Sequence, residues 1–339
     1  MNENKSFYYD LGETLTHNCL FNFIIGNRGG GKTYAFKKWA IKDFLKNGNQ
    51  FVYVRRYETE IKEVKQKFFS DIVANNEFPD VSFSVVGNTA KINDKPAGFF
   101  LTLSKAKIHK STSYPYVNKI GYDEFIIEKG VYRYLENEVD CFNDLYETIA
   151  RPGTNHPDVI TFFLSNAVTI SNPYFLYYNL QPPKPPKRFF KKGDILVQMV
   201  ANKDFIDRKK STRFGKLIEG TRYSDYAIDN KFYLDDDSFV EKKSESATYY
   251  ITLKYNGNLY GVWVDYSLGR FWLSDKIDPC CKLIYSITLK DHSPNTLLIK
   301  QLNRAIFVKQ FVENFKLGLV YFETMKIKNI GYEIIKLLS

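Results

Sequence analysis

Apolar residues occur with two different spacings along the first part of the chain. Residues 20–25, LFNFII, are mostly apolar and typical of a buried strand, and residues 32–47 carry apolar positions at helical spacing before a stop signal at Gly48. A second strand is predicted over 50–56 and a second helix over 58–75. Because strands alternate with helices, this pattern predicts an α/β domain around a mostly parallel sheet.

The following stretch contains further elements of the same domain. Residues 81–103 alternate between turn signals and predict a small antiparallel meander inserted over the sheet. A polar basic loop is expected over 104–115, and the proline-rich residues 181–194 predict no regular element. The remaining predicted elements are a strand, a helix and two strands, at 117–125, 137–150, 159–167 and 195–200.

The pattern changes after residue 205. Residues 206–235 are charged and weakly periodic, which predicts a linker. Beyond it, three short strands joined by turn signals and followed by helical patterns, the first of them over 296–315, predict a small α+β domain. The expected organisation is therefore a first domain at 1–205, a linker at 206–235 and a second domain at 236–339.

The composition indicates a folded protein with excess positive charge. The 339 residues are 44% hydrophobic, which is enough for two cores, and 48 Lys and Arg against 38 Asp and Glu give a formal net charge of +10. This excess favours a polyanionic partner such as nucleic acid. The four cysteines form no CxxC pair, which fits a reducing cytoplasm rather than a zinc site or a disulfide framework. Because no apolar run has the length of a membrane span and the N-terminus has no apolar signal region, we expect neither membrane insertion nor export.

Residues 26–33, GNRGGGKT, match the phosphate-binding pattern GxxxxGK[ST] between a predicted strand and a predicted helix. Glycines let backbone N–H groups turn towards phosphate oxygens, and the helix N-terminus adds partial positive charge. We expect ATP and Mg²⁺ as cofactors, with Lys32 at the β- and γ-phosphates and Thr33 on the metal. Arg28 and Arg55 are expected beside the phosphates. The other predicted loop contacts are Gly26, Asn27, Gly29, Gly30 and Gly31.

An acidic pair, Asp123-Glu124, ends a predicted strand. Neighbouring strand residues point to opposite sides, so Asp123 can face the metal while Glu124 faces the attacking water. The alternative is a surface acidic pair, because the strand before it is only partly apolar. Asn166, which closes the next apolar strand, matches a sensor near the γ-phosphate, and a simple loop start is the alternative there.

Several basic residues are candidates for contacts between subunits or with DNA. Arg151 follows the helix predicted after the acidic pair and is the best candidate for an arginine placed on the transferring phosphate of a neighbouring subunit. Lys110 and Arg133 could also act in trans, or could be solvated charges. In the basic loops that flank the acidic pair, Lys129 and Arg133 are expected to contact DNA phosphates without sequence preference.

The chain carries six motifs in a fixed order: GNRGGGKTYA, FVYVRRY, YPYVNKIGYDEFI, LSNAV followed by NPYFL, TRFGKLIEGT and YGVWVD. Together they resemble the genome-packaging ATPases (encapsidation proteins) of the phi29-like small tailed phages. The resemblance implies an ASCE-type P-loop ATPase that forms a homo-oligomeric ring, a pentamer, at the portal of a prohead in the host cytoplasm. Such a ring translocates double-stranded DNA inward, and the use of a structural packaging RNA stays open.

The resemblance also implies roles for single residues. It places Asp123 on Mg²⁺, Glu124 as catalytic base, Asn166 as sensor, Arg151 as the trans-acting finger and Lys110 near the subunit interface. Lys32 and Thr33 keep the roles given above.

The resemblance further implies that the C-terminal domain is an RNase H-like nuclease that has lost its catalytic acids. In agreement, the strand predicted over 247–255 contains no Asp or Glu, and Asp265 alone cannot hold two metal ions. We therefore expect no nuclease activity.

Two other functions stay open on sequence alone. A phosphotransferase of nucleotide-kinase type shares the phosphate loop, but it should have an arginine-rich lid and no catalytic glutamate beside the metal-binding acid. A nucleic-acid-binding scaffold that is only ordered by ATP would keep its function after Lys32→Ala.

Overall fold

The computed structural model describes residues 8–127, 134–135, 137–166, 172–183, 186–200, 203–221, 224, 228, 239–299 and 306–338. The chain forms two compact units, Met1–Leu234 and Asp235–Ser339, called here the N-terminal and C-terminal units. Within the described ranges, no helix has the length and apolar character needed to cross a membrane.

The N-terminal unit is built on one large sheet. Its strands are β1 (Phe21–Gly26), β2 (Gln50–Arg55), β3 (Phe83–Val86), β4 (Thr89–Ile92), β5 (Lys95–Thr102), β6 (Val117–Asp123), β7 (Ile160–Asn166), β8 (Phe189–Lys192) and β9 (Ile195–Val200). Their order is β3-β4-β5-β2-β6-β7-β1-β9-β8. The strands from β5 to β9 in this order pair in parallel, and β3, β4 and β8 add antiparallel edges. The predicted α/β domain with a mostly parallel sheet is confirmed.

Helices connect these strands. They are α1 (Gly12–Thr16), α2 (Lys32–Asn47), α3 (Glu58–Lys65), α4 (Ser70–Ala74), α5 (Glu138–Ile149), α6 (Pro173–Tyr177), α7 (Lys203–Ser211) and α8 (Arg213–Leu217), with a 3-10 helix at Leu103–Ser111. Helix α2 ends where Gly48 takes a left-handed conformation (φ 75°), as its stop signal predicts.

Two aromatic cores lie on opposite faces of the sheet, because successive strand residues point to opposite sides. On one face the rings of Phe23 and Phe163 stack with centroids 4.2 Å apart, and Phe142 of α5 packs 4.8 Å from Phe163. On the other face Phe36 of α2 lies against Phe162, with centroids 5.9 Å apart. Large rigid side chains therefore pack against both faces of the sheet.

The predicted position of the meander, as a layer covering the sheet, is wrong. Strand β5 pairs in parallel with β2, from Phe51 opposite Gly98 to Arg55 opposite Thr102, so β3-β4-β5 extends the sheet instead of covering it. The reason is the long apolar end of β5, which is typical of an internal strand. At Gly98 a side chain is excluded, because its Cβ would lie 2.5 Å from the ring of Phe51.

Other differences are local. The helix predicted over 58–75 is interrupted between α3 and α4, and the predicted loop 104–115 begins as the 3-10 helix. The proline-rich stretch 181–194, predicted to form no regular element, contains β8. Its prolines lie before Phe189, so the backbone N–H groups of Phe189–Lys192 are available to pair with β9. Helices α7 and α8 occupy part of the stretch predicted as a linker, and the domain boundaries at 205 and 235 stay predictions.

The C-terminal unit contains a second sheet. Its elements are β10 (Thr248–Tyr255), β11 (Asn258–Asp265), β12 (Arg270–Ser274), β13 (Ile284–Ser286), a 3-10 turn (Leu289–Asp291), β14 (Leu297–Leu298), α9 (Ile306–Lys316), β15 (Val320–Phe322) and α10 (Met325–Leu338). The order is β14-β13-β10-β11-β12-β15, and the three predicted strands β10, β11 and β12 pair antiparallel. The helix predicted over 296–315 is wrong at its start, where β14 pairs with β13.

The tight contact between β6 and α2 yields a stability prediction. A methyl group at Gly121 would lie 2.5 Å from the ring of Phe36. We expect Gly121→Ala to lower the free energy of unfolding of the N-terminal unit by about 1–3 kcal/mol, because the buried ring has no free space to move into. Denaturant unfolding without nucleotide measures this change. Adding Phe36→Leu should recover part of the loss, and a Gly121→Ala protein as stable as the wild type would contradict the packing described.

Candidate functional site

The carboxyl ends of the parallel strands bring the predicted site residues to one edge of the sheet. Gly26 of β1 lies opposite Asn166 of β7 and Val200 of β9, and Asp123 of β6 lies opposite Leu164. Strand β2, which ends at Arg55, pairs with β6. Ligands of open α/β sheets bind at this kind of edge.

The glycine loop between β1 and α2 has the backbone geometry of a phosphate cradle. Gly29 and Gly31 have φ values of 80° and 89°, a left-handed region that glycine adopts at no steric cost. At Gly26 a Cβ would lie 2.6 Å from the carbonyl oxygen of Val200, so only glycine allows this approach. Because α2 begins directly after Gly31, its first-turn N–H groups face the loop.

Lys32 is folded back onto the loop. Its ammonium donates to the carbonyl oxygens of Gly26 and Asn27, both at 2.9 Å, and to Asn166 Oδ1 at 3.4 Å. The side chain is buried, and this burial lowers the pKa of Lys32 to about 8 although Asp123 acts in the opposite direction. The structure thus joins three predicted residues, Asn27, Lys32 and Asn166, in one group.

Asp123 lies among hydroxyl and guanidinium donors. Thr33 Oγ1 lies 3.2 and 3.3 Å from the two carboxylate oxygens, Tyr53 donates its hydroxyl at 2.5 Å, and Arg55 Nη2 lies at 3.2 Å. The neighbouring oxygens of Thr33 and Asp123 are hard ligands of the type that Mg²⁺ accepts, so these residues fit the predicted metal.

Tyr53 was missed at the sequence level. Burial and the Asp123 carboxylate raise the pKa of its hydroxyl well above the ordinary value, so the hydroxyl stays a donor. The available signal was strand alternation, because Tyr53 shares a face of β2 with Arg55.

Glu124 sits in a strained turn after β6. It has a φ of 56°, a left-handed conformation that is uncommon for a residue other than glycine, and its N–H donates to Leu164 O at 2.8 Å. Its side chain is 56% exposed, and the carboxylate forms an ion pair with Arg55 Nη1 at 2.6 Å. Arg55 therefore bridges both acids of the predicted pair.

The stretch predicted as a linker packs on the phosphate loop. Lys209 of α7 donates to Arg28 O at 3.0 Å, and Asn27 donates its side-chain amide to Ile228 O. Phe205 lies 3.8 Å from the position of a Cβ on Gly29. These neighbours were not predicted, because no local pattern relates residues 28 and 209.

A pocket of about 720 Å³ opens beside the loop. It lies between the N-terminal segment and α2, and Gly29 and Gly31 form part of its wall. Its aromatic lining includes Tyr8, Tyr34 and Trp39. Such a volume and lining suit a small organic ligand.

Lys110 and Arg151 lie together, apart from the loop. Arg151 Nη2 donates to the carbonyl oxygen of Lys110, and Lys110 Nζ pairs with Asp144 of α5 at 2.9 Å. Arg151 follows the C-terminal end of α5, about 18 Å along the helix axis from its first residue. Lys129 and Arg133 lie outside the described residues.

Comparison with known proteins gives two close relatives by sequence. The chain is 38% identical over 332 residues to the DNA packaging protein of Bacillus phage phi29, which covers 98% of both chains. It is 38% identical over 322 residues to the DNA packaging protein of Bacillus phage B103, covering 95% of this chain and 98% of that protein.

Solved structures show the same similarity to phage DNA-packaging proteins. A chain of the bacteriophage phi29 viral genome packaging motor assembly superimposes with a TM-score of 0.78 and 36% identity, covering 98% of this chain and 100% of that chain. The N-terminal domain of the DNA packaging ATPase from phi29 matches with a TM-score of 0.54 and 41% identity, covering 59% and 100%. The family described as Podovirus DNA encapsidation protein (Gp16) matches residues 3–338. The protein is thus a member of this Gp16 family of phage DNA-packaging ATPases.

Proposed function

We propose that this protein is the ATP-hydrolysing subunit of a homo-oligomeric ring, a pentamer, that drives double-stranded DNA into a phage prohead. The observation that carries the proposal is the convergence of Lys32, Thr33, Asp123 and Glu124 at one sheet edge in a chain of this family. A nucleotide-kinase or scaffold function has no comparable support. The similarity to a chain of the phi29 viral genome packaging motor assembly supports docking at the portal of a prohead in the host cytoplasm.

ATP binds with its phosphates on the loop 26–33. The ammonium of Lys32 exchanges the carbonyls of Gly26 and Asn27 for the β- and γ-phosphates, which are stronger acceptors. Arg28 and the glycine N–H groups add positive potential around the phosphates. The aromatic pocket beside Gly29 and Gly31 accommodates the nucleoside.

Thr33 and Asp123 hold Mg²⁺, which neutralises phosphate charge when bound. Tyr53 and Arg55 fix the orientation of the Asp123 carboxylate from the protein side. This arrangement keeps the carboxylate aimed at Thr33 without any movement of β6.

Glu124 is the base for the attacking water. Its exposed carboxylate is paired with Arg55 in this conformation, so a carboxylate oxygen that would contact the water is already occupied. Hydrolysis therefore requires Glu124 to exchange Arg55 for water. Asn166, already in contact with Lys32, orients the γ-phosphate as a sensor.

Arg151 completes the site of a neighbouring subunit, with Lys110 beside it. Support comes from their place at the far end of α5, away from the loop of their own chain. A head-to-tail ring brings such a surface onto the next subunit's site. The net charge of +10 supports DNA as the polyanion, with Lys129 and Arg133 as phosphate contacts.

The C-terminal unit, residues 236–339 in the proposed division, is an RNase H-like domain without nuclease activity. In support, parallel strands β13 and β14 extend the β10 side of an antiparallel β10-β11-β12 sheet. The carboxylate of Asp265 accepts bonds from Ser244, Ser246 and Ser267 and from the Leu268 N–H. A carboxylate engaged in this way has little capacity left for a metal ion.

The function is tested by ATP turnover with DNA and proheads. We expect Glu124→Gln to bind ATP normally and to lower DNA-dependent turnover by about 10²–10⁴-fold, because the base for the water is lost. The exposed Glu147→Gln on α5 is the matched control and should keep full turnover. The proposal would be refuted if the ATP turnover of the wild type were the same with and without DNA and proheads, or if Glu124→Gln kept normal turnover.

The trans role of Arg151 is tested by mixing subunits. Arg151→Ala and Glu124→Gln should each be inactive alone, with the arginine loss costing about 10³-fold or more. In an equal mixture about a quarter of the interfaces join an intact Arg151 to an intact Glu124, so turnover should partly return. An arginine acting within its own chain would leave the mixture as inactive as the two separate proteins.

Nucleotide affinity should depend on pH through Lys32. The pKa of Lys32 is lowered to about 8 by burial, and bound triphosphate raises it again, so ATP binding takes up a proton above pH 8. Calorimetry should show nearly constant affinity around pH 7, and a loss that approaches about tenfold per pH unit well above the pKa of Lys32. Lys32→Arg should abolish this slope, and Lys209→Arg should keep it. An affinity that is constant up to pH 9.5 would contradict the assignment.

A further inference from the structure

A buried ion pair lies beneath the catalytic turn, formed by Arg56 and Glu138. Arg56 Nε donates to Glu138 Oε2 at 2.8 Å and Nη2 donates to Oε1 at 2.9 Å, which is a two-pronged contact. The two side chains are 2% and 0% exposed. Arg56 directly follows Arg55, but its guanidinium pairs with Glu138 and not with the carboxylates of the acidic pair, which Arg55 contacts. Sequence reasoning did not identify either residue.

The same guanidinium holds the backbone that presents Glu124. Arg56 Nη1 donates to the carbonyl oxygen of Glu124 at 3.2 Å, and Nη2 donates to that of Phe125 at 2.7 Å. Glu124 has a left-handed φ of 56°, so its turn carries strain that its surroundings must hold in place. Arg56 therefore restrains the direction in which the Glu124 side chain leaves the backbone.

Glu138 connects this turn to α5. It is the first residue of the helix, and it also accepts bonds from Tyr122 Oη at 3.0 Å and from the Leu135 N–H at 2.9 Å. The other end of α5 leads to Arg151, which is bonded to Lys110. A helix of this length is a rigid rod, so a shift at Glu138 also moves the residues at its far end.

We propose that Arg56 and Glu138 are positioning residues that couple the Glu124 turn to α5, so that the catalytic carboxylate and the Arg151 end of the helix are set together. This inference rests on the proposed roles of Glu124 and Arg151. A purely structural pair would affect stability and nucleotide binding together. A positioning pair affects the chemical step while Lys32 and Thr33 still bind nucleotide.

The test is the full-length double variant Arg56→Met with Glu138→Gln. It removes both charges, so no unpaired charge stays buried, and the glutamine oxygen can still accept from Tyr122 and Leu135. We expect nucleotide affinity within about twofold of wild type and a kcat for ATP about a hundredfold lower. The reason is that displacing a catalytic group by about 1 Å can lower the reaction rate about a hundredfold.

The matched control is Lys37→Met with Asp71→Asn. This ion pair links α2 to α4 in the same unit, with its atoms 3.1 Å apart, and contacts neither Glu124 nor α5. It should keep its kcat. If the Arg56 and Glu138 double variant does not fold, Arg56→Lys decides, since lysine keeps the charge but cannot reach Glu138 and two carbonyls at once. Full turnover of the variant overturns the proposal, and so does a proportional loss of affinity and turnover.

The link to Arg151 has its own measurement. Arg151→Ala should lower turnover much less in the double variant than in the wild type, because the arginine is already displaced there. Equal fold losses in both backgrounds overturn the coupling through α5. Failure of the proposed function is seen separately, as normal turnover of Glu124→Gln or Arg151→Ala in an otherwise wild-type chain.

Discussion

The site depends on the parallel register of β1, β6 and β7. This register sets Gly26 opposite Asn166 and Asp123 opposite Leu164, and a slip of one residue would turn every side chain to the other face of the sheet. Because Phe162 and Phe163 pack into different cores, such a slip would turn each ring away from its packing partners. Aromatic packing far from the loop therefore determines where the charged groups meet.

The elements that could be predicted from the sequence are those that local chemistry dictates. A phosphate cradle needs glycines and a lysine at fixed spacing, and a helix stop needs Gly48 in a left-handed conformation, so the loop and α2 could be placed. The pairing of β5 with β2 and the contact of Lys209 with the loop are long-range in sequence, and no periodicity encodes them.

Arg55, the last residue of β2, and Arg56, directly after it, show more clearly what a local pattern cannot predict. Alternation indicates that Arg55 and Arg56 point to opposite sides, and the predicted place of Arg55 agrees with its contact to Asp123. It does not indicate that Arg56 is buried, because its partner Glu138 lies 82 residues further along the chain. A buried pair of this kind gives less stability than apolar side chains of similar size. Its placement under the strained turn at Glu124 is therefore better explained by geometry than by stability.

The charged groups around the loop are paired with the protein itself in this conformation. Lys32 is bonded to loop carbonyls, Thr33 to Asp123, and Glu124 to Arg55. Nucleotide binding must therefore exchange these partners, and the bonds given up reduce the affinity that the new contacts provide. Until this exchange takes place, Glu124 stays paired with Arg55. Since Arg55 contacts Asp123 as well, a change at the proposed metal ligand Asp123 reaches the proposed base Glu124 through one guanidinium, which would tie hydrolysis to a correctly seated substrate.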